Sequence, residues 1–508
     1  MLNALRNRGV VDTAGGLGAA WFGLLLVGAL AQTFAVAGEA LAAGIGLTPK
    51  QLRCEYLVNP PGIDEEHPRL SWVVESGQRG RRQTAYQVLV ASDEELLRKD
   101  RGDLWDSGKT AGDRTTGIVY GGKALASQQR GFWKVKVWDK EGKASAWSEP
   151  ATWGMGLLQP GDWKAQYISF KDTTPLHRSA QPLFLPPARQ YRKEFAAAKA
   201  VRRATIYSTA LGIYELHLNG ERVGDAYFAP GWSDYHLRAY YNTYDVTALV
   251  KPGSNALGAW VADGWYSGYV GFGLLTGIGT EGIGRYTYGK TPALMAQLEI
   301  EYTDGSRERI VTDTSWKVTG AGPIQEADFL MGENYDARQE TPGWTKPGFD
   351  DSKWEPAIRA EDNGSTKAKF NEYQNPAEGG KLKIQSREVD LGFKAPPNLE
   401  AFPGLPVRVT EEIKPVGITS PTNGVYIFNL GQNFAGVVRL KVKGPAGTEI
   451  RLRYGEMLHP DGRLMTENLR KARATDFYIL RGDPNGETFV PRFTFHGFQY
   501  VELTGYPG

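Results

Sequence analysis

The stretch Leu211–Thr247 constrains the fold more than any other part of the chain. Tyr214, Leu216 and Leu218 alternate with Glu215 and His217, the period-2 pattern of a strand with one face buried and one in water. Asn219-Gly220 follows at once, and both residue types tolerate the positive φ that a two-residue hairpin turn requires. A chain that reverses so tightly on an alternating strand builds antiparallel sheet. Downstream, Trp232, Asp234, Tyr235, Arg238, Tyr240, Tyr241, Asn242 and Tyr244 crowd rings and hydrogen-bonding groups into a short span. Sugars are bound by such surfaces, because an aromatic face covers a C–H patch while carboxylates and amides pair with hydroxyls. The same residues equally suit the core and rim of a β-sandwich, since aromatics are enriched in strands.

The alternation recurs along the chain. Trp133, Val135 and Val137 alternate with Lys134 and Lys136; Leu298, Ile300 and Tyr302 form another such strand; Leu440 and Val442, then Ile450, Leu452 and Tyr454, continue the pattern near the end. Gly 62, Trp 14 and Tyr 24 are high counts for a chain with few long helical periods, so an all-β fold is expected. At 508 residues the chain exceeds one core and divides into about three domains. Lys+Arg 59 against Asp+Glu 57, with no basic block, gives no footprint for nucleic acid. The single cysteine, Cys54, excludes an internal disulfide and a cysteine-based metal site, and the scattered histidines suggest no zinc site.

Arg6 and Arg8 precede an apolar run, Ala19–Leu30, which is followed by Ala35-Val36-Ala37 and Ala40-Leu41-Ala42. Residues 1–42 therefore read as a secretory signal, with an uncleaved N-terminal anchor as the alternative. Export to the periplasm or the exterior of a bacterial cell follows, with no membrane span once the signal is removed. Residues 47–156 form a first sandwich with a brief helical turn at Asp93–Asp100; its closing phrases, Trp138-Asp139 and Ser145-Ala146-Trp147-Ser148 before Trp153, resemble those of fibronectin type III-like modules. Residues 157–190, with Pro160, Pro175, Pro182, Pro186 and Pro187, read as linker. A second strand-rich domain is expected over 191–360, which the resemblance given below implies to be jelly-roll and carbohydrate-binding-like, and a further β-sandwich over 375–508 after a polar passage near Asp362–Pro397.

Two loops interrupt the second domain. Asp263-Gly264-Trp265-Tyr266-Ser267-Gly268 leads into the glycine-rich Gly271–Gly289, which lacks the ending of a phosphate loop and the spacing of a dinucleotide fingerprint. Met331-Gly332-Glu333-Asn334-Tyr335-Asp336-Ala337-Arg338 concentrates two carboxylates, an amide and a guanidinium.

Three phrases, in this order, resemble the non-catalytic N-terminal half of bacterial α-L-rhamnosidases: Leu211–Thr247 with Asp263-Gly264-Trp265-Tyr266; Gly332–Arg338; and Gly431-Gln432-Asn433-Phe434-Ala435-Gly436 with Arg473-Ala474-Thr475-Asp476 and Phe495–Val501. The resemblance implies β-sandwich domains, the second of them the family's N-terminal jelly-roll and the third concanavalin-like, followed by an (α/α)6 barrel that removes terminal α-L-rhamnose with inversion. Inversion needs an acid and a base set apart to admit a water, and the family carries both on its barrel. In the family the barrel follows the phrase resembling His496–Gly505, after which this sequence almost stops. No catalytic residue is therefore assigned. The segment alone is expected to be inactive, and its partner is a missing or separately encoded barrel. Glu333 and Asp336 as an acid–base pair is the weaker reading, because loop carboxylates commonly serve turns and salt bridges.

The resemblance also implies binding of L-rhamnose-containing glycans or glycosides, with calcium as an optional cofactor. Trp265 and Tyr266 are the expected stacking platform. Asp234, Glu333, Asn334 and Asp336 are the expected polar partners, and Asp234 and Asn242 the calcium donors, calcium preferring carboxylate and amide oxygens. His496 is expected to be packed or hydrogen-bonded. The rival readings are a stand-alone rhamnose-binding protein, a truncated fragment, and a split enzyme.

Overall fold

A computed structural model describes residues 46–176, 185–270, 279–374 and 383–506. The expected signal and the first part of the glycine-rich Gly271–Gly289 stretch lie outside the described residues. The chain forms two compact units, one ending at Leu158 and one running from Gln159 to Gly508. The fold is all-β, and no described helix is long and apolar enough to cross a membrane.

The smaller unit is a sandwich of two antiparallel sheets. Thr48–Cys54 pairs with Arg69–Glu75, which pairs with Ile118–Val119; on the other side Ala85–Ala91 and Arg130–Trp138 form the centre of a five-stranded sheet. Trp72, Trp133 and Trp153 fill the core together with Val88, Val90 and Val135. The expected helical turn is present as Glu94–Arg98, capped by Asp93, whose carboxylate accepts the Glu95 N–H at 2.7 Å. The alternation of Arg130–Trp138 has one exception. Lys134 is buried because its ammonium donates to the Leu97 carbonyl at 2.7 Å and pairs with Asp100 at the end of that helix.

The larger unit holds two further sandwiches. In the first, a six-stranded sheet runs Glu221–Arg222, Ile213–Leu218, Gly253–Ala262, Arg189–Ala197, Lys317–Thr319, Glu355–Pro356. It packs on a second sheet centred on Val201–Leu211 and Ala293–Tyr302, burying Tyr191, Phe195, Leu216 and Leu257 against Ile206, Leu294, Leu298 and Ile300. Asn219 and Gly220 have φ of 55° and 90°, as the two-residue turn between Ile213–Leu218 and Glu221–Arg222 requires. The second sandwich sets a seven-stranded sheet, with Glu449–Gly455 and His496–Thr504 near its middle, against the pair Leu440–Val442 and Glu487–Phe489.

Four sequence expectations change in the structure. Part of the expected linker is sheet: Ile168–Ser169 pairs with Ala293–Tyr302 and Ile358–Arg359, because Ile168, between flanking prolines, is buried in the core. The polar passage after Asp362 contains the hairpin Lys367–Gln374 and Lys383–Asp390, paired in register over eight positions. The strand Ile213–Leu218 has no solvent face. Its even positions enter the sandwich core, while Ile213 and Glu215 on the other face are buried beneath a hairpin and a loop of the neighbouring sandwich.

That hairpin is the fourth change. Ile324–Asp328 and Gly332–Asp336 leave the first sandwich and join the sheet of the second, Gly332–Asp336 running parallel to Thr475–Ile479. In the opposite direction, Leu399–Ala401 leaves the later part of the chain and pairs in parallel with Ala239–Asp245 of the first sandwich. The boundary read near residue 360 is thus crossed both ways, and the two sandwiches share strands.

Candidate functional site

The strand Gly253–Ala262 ends in the short helix Gly264–Ser267. Gly264 has φ +51°, and a β-carbon there would stand 2.7 Å from Ile213 Cγ2, so glycine is what lets the helix turn against the sheet. Trp265 is thereby delivered onto Phe329, with ring centroids 4.4 Å apart. Trp232 lies parallel to Trp265, at 6.0 Å and an interplanar angle of 7°. Trp232 is 52% exposed. Phe495, 38% exposed, extends the cluster from the neighbouring sandwich, 5.5 Å from both Phe228 and Phe329. The result is a ridge of Trp232, Trp265, Phe329 and Phe495 whose most exposed ring is held by stacking.

The expected platform is corrected in part. Trp265 belongs to the ridge but serves mainly as support. Tyr266 is buried, packed edge-on to Tyr235 at 5.3 Å, and presents no face to solvent. Asp234 is exposed and bonded to its own loop, accepting from the His236 N–H at 3.0 Å. Trp232 belonged to the crowded span in sequence, but only its exposure separates it from the buried tyrosines around it. Phe495 opens a phrase of the family resemblance but nothing in it marks a site, and Phe329 has no local signal; the shared strands bring both to the ridge.

Glu333, Asn334 and Asp336 lie in the strand Gly332–Asp336, away from a ligand-facing loop. Glu333 is fully buried; its Oε2 accepts the N–H groups of Arg492 at 2.9 Å and Phe493 at 3.0 Å, while its Oε1 has no partner among the described residues. Burial, and then the Asp476 carboxylate, push the Glu333 carboxyl up to about 8 against those N–H donors. Asp336 is held in two bonds by its neighbour Arg338, at 2.9 and 2.8 Å. The Asn334 Oδ1 is buried without a partner among the described residues. These carboxylates organise the strand and do not face one another across an opening as an acid and base must.

The oxygen donors named for calcium do not converge. Asp234 serves its own turn, and Asn242 Oδ1 accepts from the Tyr214 hydroxyl at 3.2 Å. Among the described residues no group of three or more His, Cys, Asp or Glu side chains could hold a metal ion.

Two buried charge clusters brace the ridge. Beneath Trp265, Asp263 pairs with Arg285, both nearly inaccessible, and Asp328 accepts the Tyr269 and Leu330 N–H groups at 2.8 Å each. Burial pushes the Asp328 carboxyl up to about 6. At the seam between the sandwiches, Glu215 receives His217, Arg222 and Arg492. Burial raises its carboxyl, but His217, then Arg492 and Arg222, outweigh that and hold it at about 2. A carboxyl lowered on folding stabilises above its unfolded pKa, and that contribution fades as pH falls through the folded value. Thermal melts at pH 6 and pH 3 are therefore expected to show a larger loss for the native chain than for Glu215→Gln; equal losses would remove Glu215 from the account.

Three family models match the chain in order. A Rha78A-like N-terminal immunoglobulin domain covers residues 49–159, an α-L-rhamnosidase N-terminal domain 199–376, and a bacterial α-L-rhamnosidase concanavalin-like domain 419–508. Fold and matches together define a set of β-sandwich domains of the α-L-rhamnosidase kind. The chain is 35% identical to an α-L-rhamnosidase of Streptomyces avermitilis over 89% of its length and 55% of that protein, and 36% identical to one of Formosa agariphila over 89% and 44%. The structure of the Streptomyces avermitilis α-L-rhamnosidase complexed with L-rhamnose superposes with a TM-score of 0.77 and 34% identity, over 91% of this chain and 56% of that one. The chain belongs to the α-L-rhamnosidase family, matching it through its N-terminal domains, and spans about half the length of these curated relatives. The Streptomyces match runs over 614 positions and the Formosa match over 452 for the same 89% of this chain, so the Streptomyces protein carries additional residues inside the matched span.

Proposed function

We propose that this chain is the non-catalytic β-domain portion of an exported enzyme that hydrolyses terminal α-L-rhamnose from glycans or glycosides, with catalysis in an (α/α)6 barrel that docks on it. The ordered match of three domain models carries this reading. The engagement of Glu333 and Asp336 within their own strand supports a non-catalytic role. Five exposed apolar side chains within a short stretch, Leu405, Val407, Val409, Val416 and Ile418, each between 53% and 73% exposed, support a docked partner, because exposed apolar surface in excess of the ordinary marks interfaces.

A second reading, favoured by the ridge, is that the β-domains also bind the sugar. A deoxy sugar offers an apolar face to a fixed indole, and Trp232 supplies one. What supports this reading is the exposure of Trp232 and its stacking on Trp265. The test is calorimetric titration of the purified chain with L-rhamnose, with and without calcium, beside release of nitrophenol from an α-L-rhamnoside. No release is expected, and turnover by a hydrolase-free preparation would overturn the non-catalytic assignment. Weak binding that falls at least tenfold in Trp232→Ala is expected for a sugar platform; no binding would leave the ridge to the docking face. Trp232→Ala is a cleaner variant than Trp265→Ala, which would also unseat Phe329.

A further inference from the structure

Glu333 sits where four elements meet. Its own backbone N–H donates to Asp476 Oδ1 at 2.8 Å, from the strand Thr475–Ile479. Asp476 is fully buried and also receives the Tyr454 hydroxyl at 2.5 Å from Glu449–Gly455, and its Oδ1 lies 3.1 Å from His496 Nε2 of His496–Thr504. His496 is stacked on Tyr454 with centroids 4.0 Å apart. From the loop before His496, Arg492 and Phe493 give backbone N–H groups to Glu333 Oε2, while the Arg492 guanidinium is committed to Glu215 across the seam. Among the described residues no cation is bonded to Glu333, its Oε1 has no partner, and the Thr494 Oγ1 is buried without a partner as well. On its own strand the one other charge is Asp336, neutralised by Arg338.

An ionised Glu333 would therefore be a buried charge beside a second carboxylate, offset by two amide dipoles and the Coulombic pull of an arginine already engaged elsewhere. Protonated, it needs no counter-ion. We propose that Glu333 is a proton-held latch at the point where the hairpin Ile324–Asp336 adds to the neighbouring sheet, tightest in mildly acidic surroundings and loosened as the medium turns neutral. Both shared strands of this edge depend on it, because Gly332–Asp336 carries Ile324–Asp328 at the end of the sheet.

The sign follows from linkage. A carboxyl that holds its proton more tightly in the closed seam than in the opened one destabilises the closed form as pH rises from the ordinary carboxylate range to the closed-form value, and no further above it. With that value at about 8, opening steepens up to there and then levels. The latch is independent of which substrate the enzyme takes.

Hydrogen exchange of the full chain tests it, followed in peptides covering 324–336 and corrected for intrinsic exchange. Local opening is expected to rise at least tenfold between pH 5.5 and pH 8 and to level above, with the strand Ala293–Tyr302 unchanged as internal reference. Glu333→Gln, which keeps the shape and an acceptor for the two N–H groups, is expected to flatten the profile. A rise that survives in Glu333→Gln would assign the sensor to another group, with Asp328 of the same hairpin, whose carboxyl burial also raises, as the first candidate, and would overturn the proposal. Should that variant fail to fold, the native profile decides: a flat response from pH 5.5 to pH 8 overturns it.

Discussion

Alanine at Gly332 is expected to destabilise the larger unit by roughly 3 kcal/mol or more, from positive-φ strain together with overpacking. Gly332 has φ +101°, and a β-carbon there would stand 2.1 Å from the Thr475 carbonyl oxygen and 2.6 Å from its carbon. Both atoms are backbone of a paired strand, so no rotamer change relieves the clash. The strand would have to withdraw from Thr475–Ile479, taking the Glu333 N–H away from Asp476. Gly305→Ala is the control, since Gly305 has φ +82° with nothing among the described residues within 4 Å of the added carbon; its cost is the conformational strain alone, about 1 kcal/mol. Thermal melts of the two variants should separate clearly. Equal melting temperatures would mean that the hairpin does not sit against the second sandwich as described.

Arg285→Met carries the other large effect. Arg285 and Asp263 are a buried pair, with side-chain exposures of 1% and 6%, and the arginine also donates to the Ser267 carbonyl at 3.2 Å. Removing one partner of a buried pair leaves an uncompensated charge and costs about 3–5 kcal/mol. The loss should fall on the short helix Gly264–Ser267 first, because Ser267 is held to Asp263 through its hydroxyl at 3.1 Å. Trp265 and the stacked Trp232 would lose their support, which intrinsic fluorescence reports directly. The double variant Asp263→Leu/Arg285→Met should recover much of the stability, since replacing a whole buried pair by apolar side chains is often near neutral. A double variant as unstable as the single one would show that the pair's neighbours, not its charge, carry the cost.

Strand period, turn chemistry and family phrases were legible from the residues alone. Tyr214, Leu216 and Leu218 do face a core, and Asn219-Gly220 does make the tight turn. The solvent face of that strand was misread because period 2 reports two different environments without saying that the second is water; here it is another sandwich. Gly332–Arg338 read as a loop for a related reason. Its glycine, two carboxylates and amide are loop-forming in isolation, yet Glu333 and Asp336 find hydrogen bonds that let the segment run as a buried strand. The ridge was half visible. Trp232 and Trp265 are aromatic and near one another in the chain, whereas Phe329 and Phe495 reach them only through long-range pairing that no local pattern encodes. Tyr266 was placed on the surface because flanking glycines suggest an open loop, but Gly289 is there to admit its hydroxyl, which a β-carbon would meet at 2.0 Å.

The reciprocal loan of strands bears on how such a protein can be inherited and dissected. A segment cut at residue 360 carries away Ile324–Asp328 and Gly332–Asp336, the terminal strands of its neighbour's sheet, and forfeits Leu399–Ala401 from its own. Each piece would expose an unsatisfied strand edge, which invites aggregation. Recombination between related genes should thus preserve residues 159–508 as one heritable block, with the tolerated crossover falling near residue 158. Three sequence-defined modules would then behave, in evolution and in the laboratory, as two.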